Sequence, residues 1–408
     1  MPIPVVTVTR DVILGRIEGT STLRQNIVEA IDAIDPRDTP LLSTKGFSAE
    51  KGMAAAGADS LSKPCVQPTY TWQNDALIPL RTRVRTAYAS GDVSILVTTG
   101  TADYFHVDEI VVATSANGTT HWRITAVDLT NDVLTVTVLN NDQAHAVDTD
   151  IFSIGLPRVD GTQADVTGDV TTIGSDDNYT EIFQDTASVT GTHMATESVG
   201  IANQLDYQVE KVLGQLILRL ETNALYGLRS TALPTANTQP AKRMGGVDYY
   251  VRACDTNGQT RNATGATLAT SEDTLKRLLD DIYDVGGKPD TILVGLFQRA
   301  AISSFLAPFV RTDRTEGVAG VVAGEYEYSY GTLRVVLDRY VHRPHLWALT
   351  MEYFGVGPLR GNGEDRSFRW EEIPKNGDYY ARFVTGEMTM ELRNRTRAHG
   401  LLFNLAIS

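Results

Sequence analysis

Two short patterns contain residue types that carry out chemistry in other proteins: histidine for metal binding, and serine with lysine for acyl transfer. His342 and His345 form an H-x-x-H pair, but Pro344 opposes a helix there and no third ligand lies nearby in the sequence. The S-x-x-K tetrapeptide that starts at Ser60 is followed by a proline and lacks the other motifs of acyl-serine enzymes. Neither pattern predicts a catalytic or metal site.

Three glycines, Gly355, Gly357 and Gly361, superficially match a phosphate-binding loop. Their spacing differs from the dinucleotide fingerprint, no βαβ unit surrounds them, and Pro358 favours a turn. The seven histidines are scattered, and the sequence offers no Ser-His-Asp or Cys-His set. We therefore predict a protein that is not an enzyme and that needs no cofactor and no metal.

The composition is that of a folded, acidic protein too long for one compact core. The chain has 408 residues, of which 42% are hydrophobic and 21% are charged, and its formal net charge is −14. Sequence-specific nucleic-acid binding requires clustered Lys and Arg, so this charge argues against it. Two distant cysteines, the lack of a signal-peptide pattern and the lack of a long apolar run favour a reducing compartment and exclude a membrane span.

One long helix, predicted for residues 197–228, organises the elements around it. Apolar side chains recur there in steps of three and four, which places them on one stripe of a helix about 45 Å long. They are Ile201, Leu205, Val209, Val212, Leu213, Leu216 and Leu220. Thr196 is the predicted N-cap and Gly227 the predicted stop, and Glu221 is assigned to the solvent-facing side.

An arm, residues 1–67, precedes the hairpin and the long helix. A short amphipathic helix is predicted for residues 22–35, whereas the stretch from Asp38 to Gln73 has many small residues and no sustained period. Such a segment cannot bury enough apolar area on its own body. We expect the arm to lie against a neighbouring subunit, with Ile27, Ile31, Leu41 and Leu42 buried mainly between subunits.

Residues 84–158 read as a small β-barrel or sandwich. Five strands are predicted to begin at Val93, Asp108, His121, Asp132 and Asp150. An oligonucleotide-binding fold is one interpretation, but three arginines and no lysine against eight aspartates and one glutamate give the wrong charge for a phosphate groove. Residues 68–83 and 159–190 flank this unit as the two limbs of a hairpin, so the unit is predicted to be an insertion at the hairpin tip.

The chain after the long helix predicts an α+β body. Helices are predicted at 271–285, capped by Ser271, and at 297–306, with a glycine-rich loop at 316–324. Strands are predicted at 291–294, 333–337, 346–350 and 380–392.

The last strand is predicted to alternate from Glu387 to Ala398, with apolar residues on one face and charged residues on the other. The charged face carries Glu387 and Glu391 at one end and Arg393, Arg395 and Arg397 at the other. A ladder with segregated charges suits a contact between subunits, because it fixes the register. We therefore predict an inter-subunit contact at these five residues. A solvated face is the alternative, and so is a face whose arginines contact DNA.

The order of arm, hairpin limb, long helix, α/β body and final strand resembles the major capsid proteins of tailed bacteriophages with the Hong Kong 97-type fold. The similarity is local in YGTLRVVLDRYV, LWALTMEYFGVGPLRG and GDYYARFVTGEMTMELRNRTRAHGLL, and in PTYTWQND from Pro68. The resemblance implies an α+β fold with an N-arm, an E-loop hairpin, a P-domain with a long spine helix, and an A-domain. The small all-β insertion domain departs from simpler members.

The resemblance divides the chain and implies its role. The parts are the arm at 1–67, E-loop limbs at 68–83 and 159–190, an inserted β-barrel at 84–158, the P-domain at 191–246 and 366–408, and the A-domain at 247–365. The implied role is a subunit that assembles with itself, in the bacterial host cytoplasm, into hexamers and pentamers of an icosahedral head shell. The shell of the virion would enclose double-stranded DNA, with portal, scaffold and decoration proteins as separate chains. The alternatives are a tail or decoration protein and a glycan-binding β-barrel adhesin.

Overall fold

A computed structural model provides the structure of most of the chain. It describes residues 37–48, 57–75, 80–116, 118–155, 173–196, 203–230, 241–252, 260–261, 271–306, 325–329 and 331–407, and the single residues 77, 157, 160 and 201. The predicted helix at 22–35 and the glycine-rich loop at 316–324 lie outside these residues.

Six α-helices and twenty strands are present in the described part of the chain. The helices are α1 (Pro40–Ser43), α2 (Gly191–Ala195), α3 (Gln204–Tyr226), α4 (Val247–Arg252), α5 (Glu272–Asp284) and α6 (Leu296–Leu306). The first strands are β1 (Thr69–Asn74), β2 (Arg81–Arg83), β3 (Ser94–Leu96), β4 (Ile110–Ser115), β5 (Gly118–Asp128), β6 (Val133–Asn140), β7 (Asp150–Gly155), β8 (Gly174–Tyr179) and β9 (Glu181–Thr190). The later strands are β10 (Thr260–Arg261), β11 (Thr291–Val294), β12 (Glu325–Tyr328), β13 (Gly331–Leu337), β14 (Leu346–Leu349), β15 (Phe354–Pro358), β16 (Arg360–Gly361), β17 (Glu364–Asp365), β18 (Arg369–Glu372), β19 (Tyr379–Leu392) and β20 (Gly400–Leu402).

The predicted long helix is α3, which we call the spine helix, and it starts later than expected. It begins at Gln204, because the Asn203 side chain accepts hydrogen bonds from two N–H groups of the first turn (3.0 and 3.3 Å). Thr196, the predicted cap, instead ends the short helix α2. The 23 residues of the spine helix extend for about 35 Å, and Gly227 follows it as predicted. Every helix among the described residues is too short or too polar to cross a membrane.

The spine helix packs on an antiparallel sheet formed by β9, β15, β18 and β19. β19 is central: its first part pairs with β9 and β18, and its last part pairs with β15. The main core lies between this sheet and the spine helix. It includes Leu213, Leu216, Leu220, Met388, Met390 and Leu392. The apolar stripe of the helix and the apolar face of β19 therefore bury each other.

The two hairpin limbs pair through β1 and β8. β1 runs antiparallel to β8, from Thr69 opposite Tyr179 to Asn74 opposite Gly174. β9 follows β8 directly and joins the body through its pairing with β19. Trp72 of β1 belongs to the main core, so the base of the hairpin is anchored on the body.

Residues 81–155 form a six-stranded barrel with a core of its own. The sheet order is β2-β7-β4-β5-β6-β3, and an antiparallel bridge between Val84 and Val97 joins the two edge strands. Trp122 lies at the centre of the separate core. The five predicted strands are confirmed. β2 is a sixth, and its pairing with β7 shows that the predicted boundary at residue 84 cuts through the barrel.

The second part of the body is a mixed six-stranded sheet in the order β10-β20-β14-β11-β13-β12. β11 pairs parallel with β13 and antiparallel with β14, and a second core lies between this sheet and helices α5 and α6. Ser271 caps α5 as predicted, because its hydroxyl accepts a hydrogen bond from Thr274 N–H (3.2 Å). The predicted helices and strands of this part are confirmed to within one or two residues.

The described part of the arm lies on the body of its own chain. Leu41 and Leu42 of α1 are fully buried in the main core. Residues 57–67 run beside β15 and β16, and Cys65 forms a parallel bridge with Leu359. The prediction that Leu41 and Leu42 are buried between subunits is wrong, because the spine helix and the adjacent sheet bury them within the chain.

Candidate assembly site: the arm held on the body

The histidine pair lies beside the last residue of the spine helix and is a packing feature. The rings of His342 and His345 lie 4.4 and 5.9 Å from that of Tyr226, measured between centroids. His345 Nε2 is 3.3 Å from Arg252 Nη2, and burial together with this guanidinium lowers the pKa of His345 to about 4. Nowhere in the described residues do three His, Cys, Asp or Glu side chains form a group that could hold a metal.

The three glycines mark the places where the arm touches the body. Gly355 and Gly357 lie in β15 and Gly361 lies in β16, not in the predicted turn. A Cβ atom at Gly355 would come within 2.7 Å of the Ser60 carbonyl oxygen, and one at Gly361 within 2.9 Å of the Val66 carbonyl oxygen. These positions require glycine because the arm backbone passes so close to the strand.

Ser60, the first residue of the S-x-x-K tetrapeptide, docks the arm on the same strand. Its N–H and its hydroxyl each lie 2.9 Å from the Val356 carbonyl oxygen, and the hydroxyl also lies 2.9 Å from Val356 N–H. Ser60 therefore attaches the arm to the backbone of β15.

Glu391, near the end of β19, is the first of two buried carboxyl groups that hold the arm. Its side chain is 1% exposed, and Oε1 accepts a hydrogen bond from Ser62 N–H (2.8 Å). Oε2 lies 2.7 Å from the Ser62 hydroxyl and 3.0 Å from the Tyr70 hydroxyl, both of which are donors. Arg393 Nε lies 3.7 Å from Oε1. We call Glu391, Ser62, Tyr70 and Arg393 the strand clamp.

Glu221 of the spine helix is the second such group, and it does not face solvent as predicted. It is 0% exposed, and its Oε1 and Oε2 accept hydrogen bonds from the N–H groups of Leu41 (2.8 Å) and Leu42 (2.9 Å). These N–H groups lie in the first turn of α1, where a helix leaves its donors without internal partners. A side chain of the spine helix therefore caps the arm helix.

Asp338, which follows β13, lies beside Glu221 and is also fully buried. Its Oδ1 accepts a hydrogen bond from Tyr340 N–H (2.8 Å), whereas its Oδ2 has no donor among the described residues. Burial and then the charge of Asp338 raise the pKa of Glu221 to about 8, and burial raises the pKa of Asp338 to about 6. Because the two carboxyl groups interact, they titrate as a pair and not independently. We call Glu221, Asp338, Leu41 and Leu42 the helix clamp.

The predicted charge ladder on the final strand is not present. β19 ends at Leu392, and Asn394 in the following turn has a φ of +51°, so residues 393–397 do not alternate between two faces. The strand is buried on both faces from residue 386 to 392, because the core covers one face and the arm and hairpin cover the other. The prediction of an alternating strand to Ala398 is wrong.

The two glutamates of the predicted contact are bonded inside the chain. Glu387 accepts a hydrogen bond from the Thr180 hydroxyl (2.6 Å) and forms an ion pair with Arg366 (2.7 Å). Glu391 belongs to the strand clamp. Neither glutamate therefore offers an exposed acidic surface to a neighbour.

The three arginines anchor the turn after β19 to nearby segments, and each remains partly exposed. Arg395 binds both carboxylate oxygens of Asp176 in β8 (2.9 and 2.8 Å). Arg397 donates to the carbonyl oxygen of Leu77, and Arg393 donates to a carbonyl oxygen just before β15 (2.7 Å). The turn thus fixes the base of the hairpin.

Nearly the whole chain matches one family of proteins. A family model described as SU10 major capsid protein covers residues 9–406. The chain belongs to this family. It is a major capsid protein, a structural subunit that assembles with copies of itself into the icosahedral head shell of a tailed phage, and it is not an enzyme. Comparison with curated protein sequences gave no match.

Solved phage capsids have the same overall fold as this SU10-family capsid protein. A chain of the cyanophage A-1(L) capsid asymmetric unit matches with a TM-score of 0.52 and 11% identity, over 95% of this chain and 98% of that chain. Chains from Microbacterium phage Oxtober96 (TM-score 0.45, 11% identity, 98% and 100% coverage) and Mycobacterium phage Adephagia (0.43, 11%, 96% and 98%) are also similar. The Hong Kong 97-type fold is confirmed.

In this capsid protein, the residues that hold the arm were not found from the sequence. Glu221 is four residues after Ile217 and three before Ala224, both of which are buried, so it lies on the apolar stripe of the spine helix. That spacing was the available signal for a buried glutamate. Its partners Leu41 and Leu42 contribute backbone N–H groups, which leave no trace in a sequence.

Proposed function

We propose that the shell built from this capsid protein encloses the double-stranded DNA genome without sequence-specific contacts. The net charge of −14 supports this, because an acidic subunit repels phosphate and lets DNA enter and leave the head. We further propose that the subunits assemble into hexamers and pentamers in the host cytoplasm. Separate portal, scaffold and decoration proteins would take part in the head.

Several apolar side chains are exposed on the isolated chain, which supports their burial at contacts between subunits. Leu77 and Leu80, at the junction of hairpin and barrel, are 89% and 63% exposed, and Leu296 at the start of α6 is 75% exposed. Burial of such side chains is favourable at about 25 cal/mol per Å² of apolar area. We propose that neighbouring subunits cover them in the shell.

The proposed electrostatic contact between subunits now rests on Arg393, Arg395 and Arg397. Each is partly exposed in the turn after β19, in a protein with surplus acidic groups. An exposed ion pair contributes only about 0–1 kcal/mol, but a shell repeats it at every interface. Glu387 and Glu391 have no part in this revised contact.

We also propose that the barrel is an inserted domain that the body does not need. Its separate core supports this, and so does the pairing of its first and last strands, in which Arg81 lies opposite Phe152. Arg81 and Arg83 pair with Asp284 of α5, and Arg83 also pairs with Asp281 (3.0 Å). This ionic contact holds the barrel beside the body and leaves the two cores separate.

Negative-stain electron microscopy tests self-assembly, and tryptophan fluorescence tests whether the body folds without the barrel. The full chain is compared with a variant in which residues 81–155 are replaced by a short Gly/Ser turn. We expect shells or capsomer rings from the full chain, and buried-tryptophan fluorescence from Trp72 and Trp347 in the shortened chain. Dispersed monomers of the full chain at high concentration would contradict self-assembly. Loss of all soluble shortened chain would contradict an inserted domain.

A further inference from the structure

We propose that the barrel is a movable domain, held on the body by an ionic latch that salt opens. The latch consists of Arg81 and Arg83 of β2 and of Asp281 and Asp284 in the last turn of α5. This proposal goes beyond assembly of the shell and rests on the barrel being a separate domain. It is tested in the single subunit with the barrel in place, so its failure is distinguishable from a failure of self-assembly or of the barrel deletion.

Among the described residues, three ion pairs join the barrel to α5. Arg81 Nη1 lies 2.7 Å from Asp284 Oδ1, and Arg83 Nη2 binds Asp284 Oδ2. Arg83 Nη1 lies 3.0 Å from Asp281 Oδ1. The last turn of α5 contains no basic residue, so the two arginines supply the positive charge that the C-terminal end of a helix favours. The latch therefore stabilises the docked barrel.

Apolar packing does not contribute to this junction. In the part of the chain that the structure describes, the buried apolar side chains of the barrel form a cluster that shares no residue with the two clusters of the body. Asp103 of the barrel also lies within electrostatic range of Arg397 of the body, so this second contact is ionic too.

The junction is open to water and dissolved ions. A cavity of about 280 Å³ lies between the barrel and α5, and only charged side chains line it: Arg83, Asp148, Arg277, Asp280 and Asp281. A cavity of this size and polarity holds water. Because the latch borders hydrated space, salt screens the attraction between its charges.

Asp150 of β7 gives both arginines a second partner that moves with the barrel. Its Oδ1 lies 2.9 Å from Arg81 Nη2 and 3.3 Å from Arg83 Nε. When the barrel moves away, the arginines keep Asp150, whereas Asp284 loses both arginines. The Debye length falls from about 10 Å at about 0.1 M salt to about 3 Å at about 1 M. We expect this change to weaken docking on the order of tenfold, because three modest ion pairs are screened together.

Carboxylate footprinting of the unassembled full chain tests the latch. A carbodiimide with glycine ethyl ester labels accessible carboxylates, and mass spectrometry locates the labels at about 0.1 M and about 1 M NaCl. The Asp281 and Asp284 side chains are 9% and 18% exposed, and high salt is expected to raise their labelling several-fold. Asp273, 74% exposed on the same helix, corrects for the effect of salt on the reaction itself.

Two results of this measurement would overturn the latch. One is labelling of Asp281 and Asp284 that does not rise relative to Asp273. The other is an equal rise at Glu391, which is 1% exposed in the main core region, because that would indicate general unfolding.

Arg81→Met combined with Arg83→Met removes both charges and keeps long side chains at the junction. We expect Asp284 in this variant to be labelled at low salt as fast as in the wild type at high salt, with no further response to salt. Arg123→Met is the matched control, because Arg123 is exposed and pairs within the barrel, and it is expected to keep the wild-type response. If the double variant does not fold, Asp284→Asn weakens the latch from the body side and is read at Asp281. A wild-type salt response in the variant that is read would refute the latch.

Discussion

Glu221 in the helix clamp and Glu391 in the strand clamp are both buried, and each accepts hydrogen bonds from backbone N–H groups of the arm. Their surroundings differ. Glu221 meets two fixed backbone donors and a second acid, Asp338, whereas Glu391 meets one backbone donor, two hydroxyl groups and the Arg393 guanidinium. A hydroxyl can turn to become an acceptor and a backbone N–H cannot. We therefore expect the strand clamp to tolerate replacement of its carboxylate by an amide better than the helix clamp does.

The largest loss of stability is expected for a substitution whose side chain clashes with the strand clamp. Gly355→Val places a Cβ atom 2.7 Å from the Ser60 carbonyl oxygen and 2.9 Å from Glu391 Oε1, so the arm and the glutamate must both move. We expect a loss of about 3 kcal/mol in the free energy of unfolding, at the upper end for overpacking. Urea unfolding followed by tryptophan fluorescence measures it.

Gly174→Val in β8 is the matched control for that substitution. A Cβ atom there would lie 3.8 Å from the Asn74 carbonyl oxygen, an ordinary contact distance. We expect a change below about 1 kcal/mol. Equal losses in the two variants would mean that the close approach of the arm is not what requires glycine at position 355.

A smaller loss is expected for Glu221→Gln in the helix clamp. One of the two fixed N–H groups, of Leu41 or Leu42, would then face an amide NH₂ group and lose its acceptor. An unsatisfied buried donor costs about 2 kcal/mol. The same urea titration measures this loss, and hydrogen exchange at Leu41 and Leu42 locates it. A variant as stable as the wild type would show that the helix clamp contributes nothing to folding.

The smallest effect is expected for Glu391→Gln in the strand clamp. The glutamine oxygen can accept from Ser62 N–H, and its NH₂ group can donate to the Ser62 and Tyr70 hydroxyls after these rotate. We expect a loss below about 1 kcal/mol in the urea titration. If this variant were less stable than Glu221→Gln, the contrast drawn between the clamps would be incorrect.

Local patterns predicted much of the fold. Apolar spacing predicted the spine helix and α5, and turn residues between β-rich runs predicted five barrel strands. The start of the spine helix was missed because Thr196 and Asn203 both have capping side chains, and local sequence does not decide between them.

Local patterns could not predict the two clamps, because each clamp joins residues that lie far apart in the chain. Glu221 binds backbone groups 180 and 179 residues away, and Ser62 binds Glu391 across 329 residues. The sequence alone indicates no surface on which the arm could bury its apolar residues, because that surface is formed by the distant spine helix and β15. The same surface explains Gly355. Glycine is required at this position because the distant Ser60 lies so close, and not because of a local turn.

The position of β19 in the chain also has a consequence for protein synthesis. Met388 of β19 pairs with Glu181 of β9, so the ribosome makes β9 and the spine helix long before the strand that covers them. Until β19 emerges, the main core lacks its central strand and the strand clamp lacks Glu391. A polypeptide released early has neither. We therefore expect copies that are truncated before β19 to lack a folded main core.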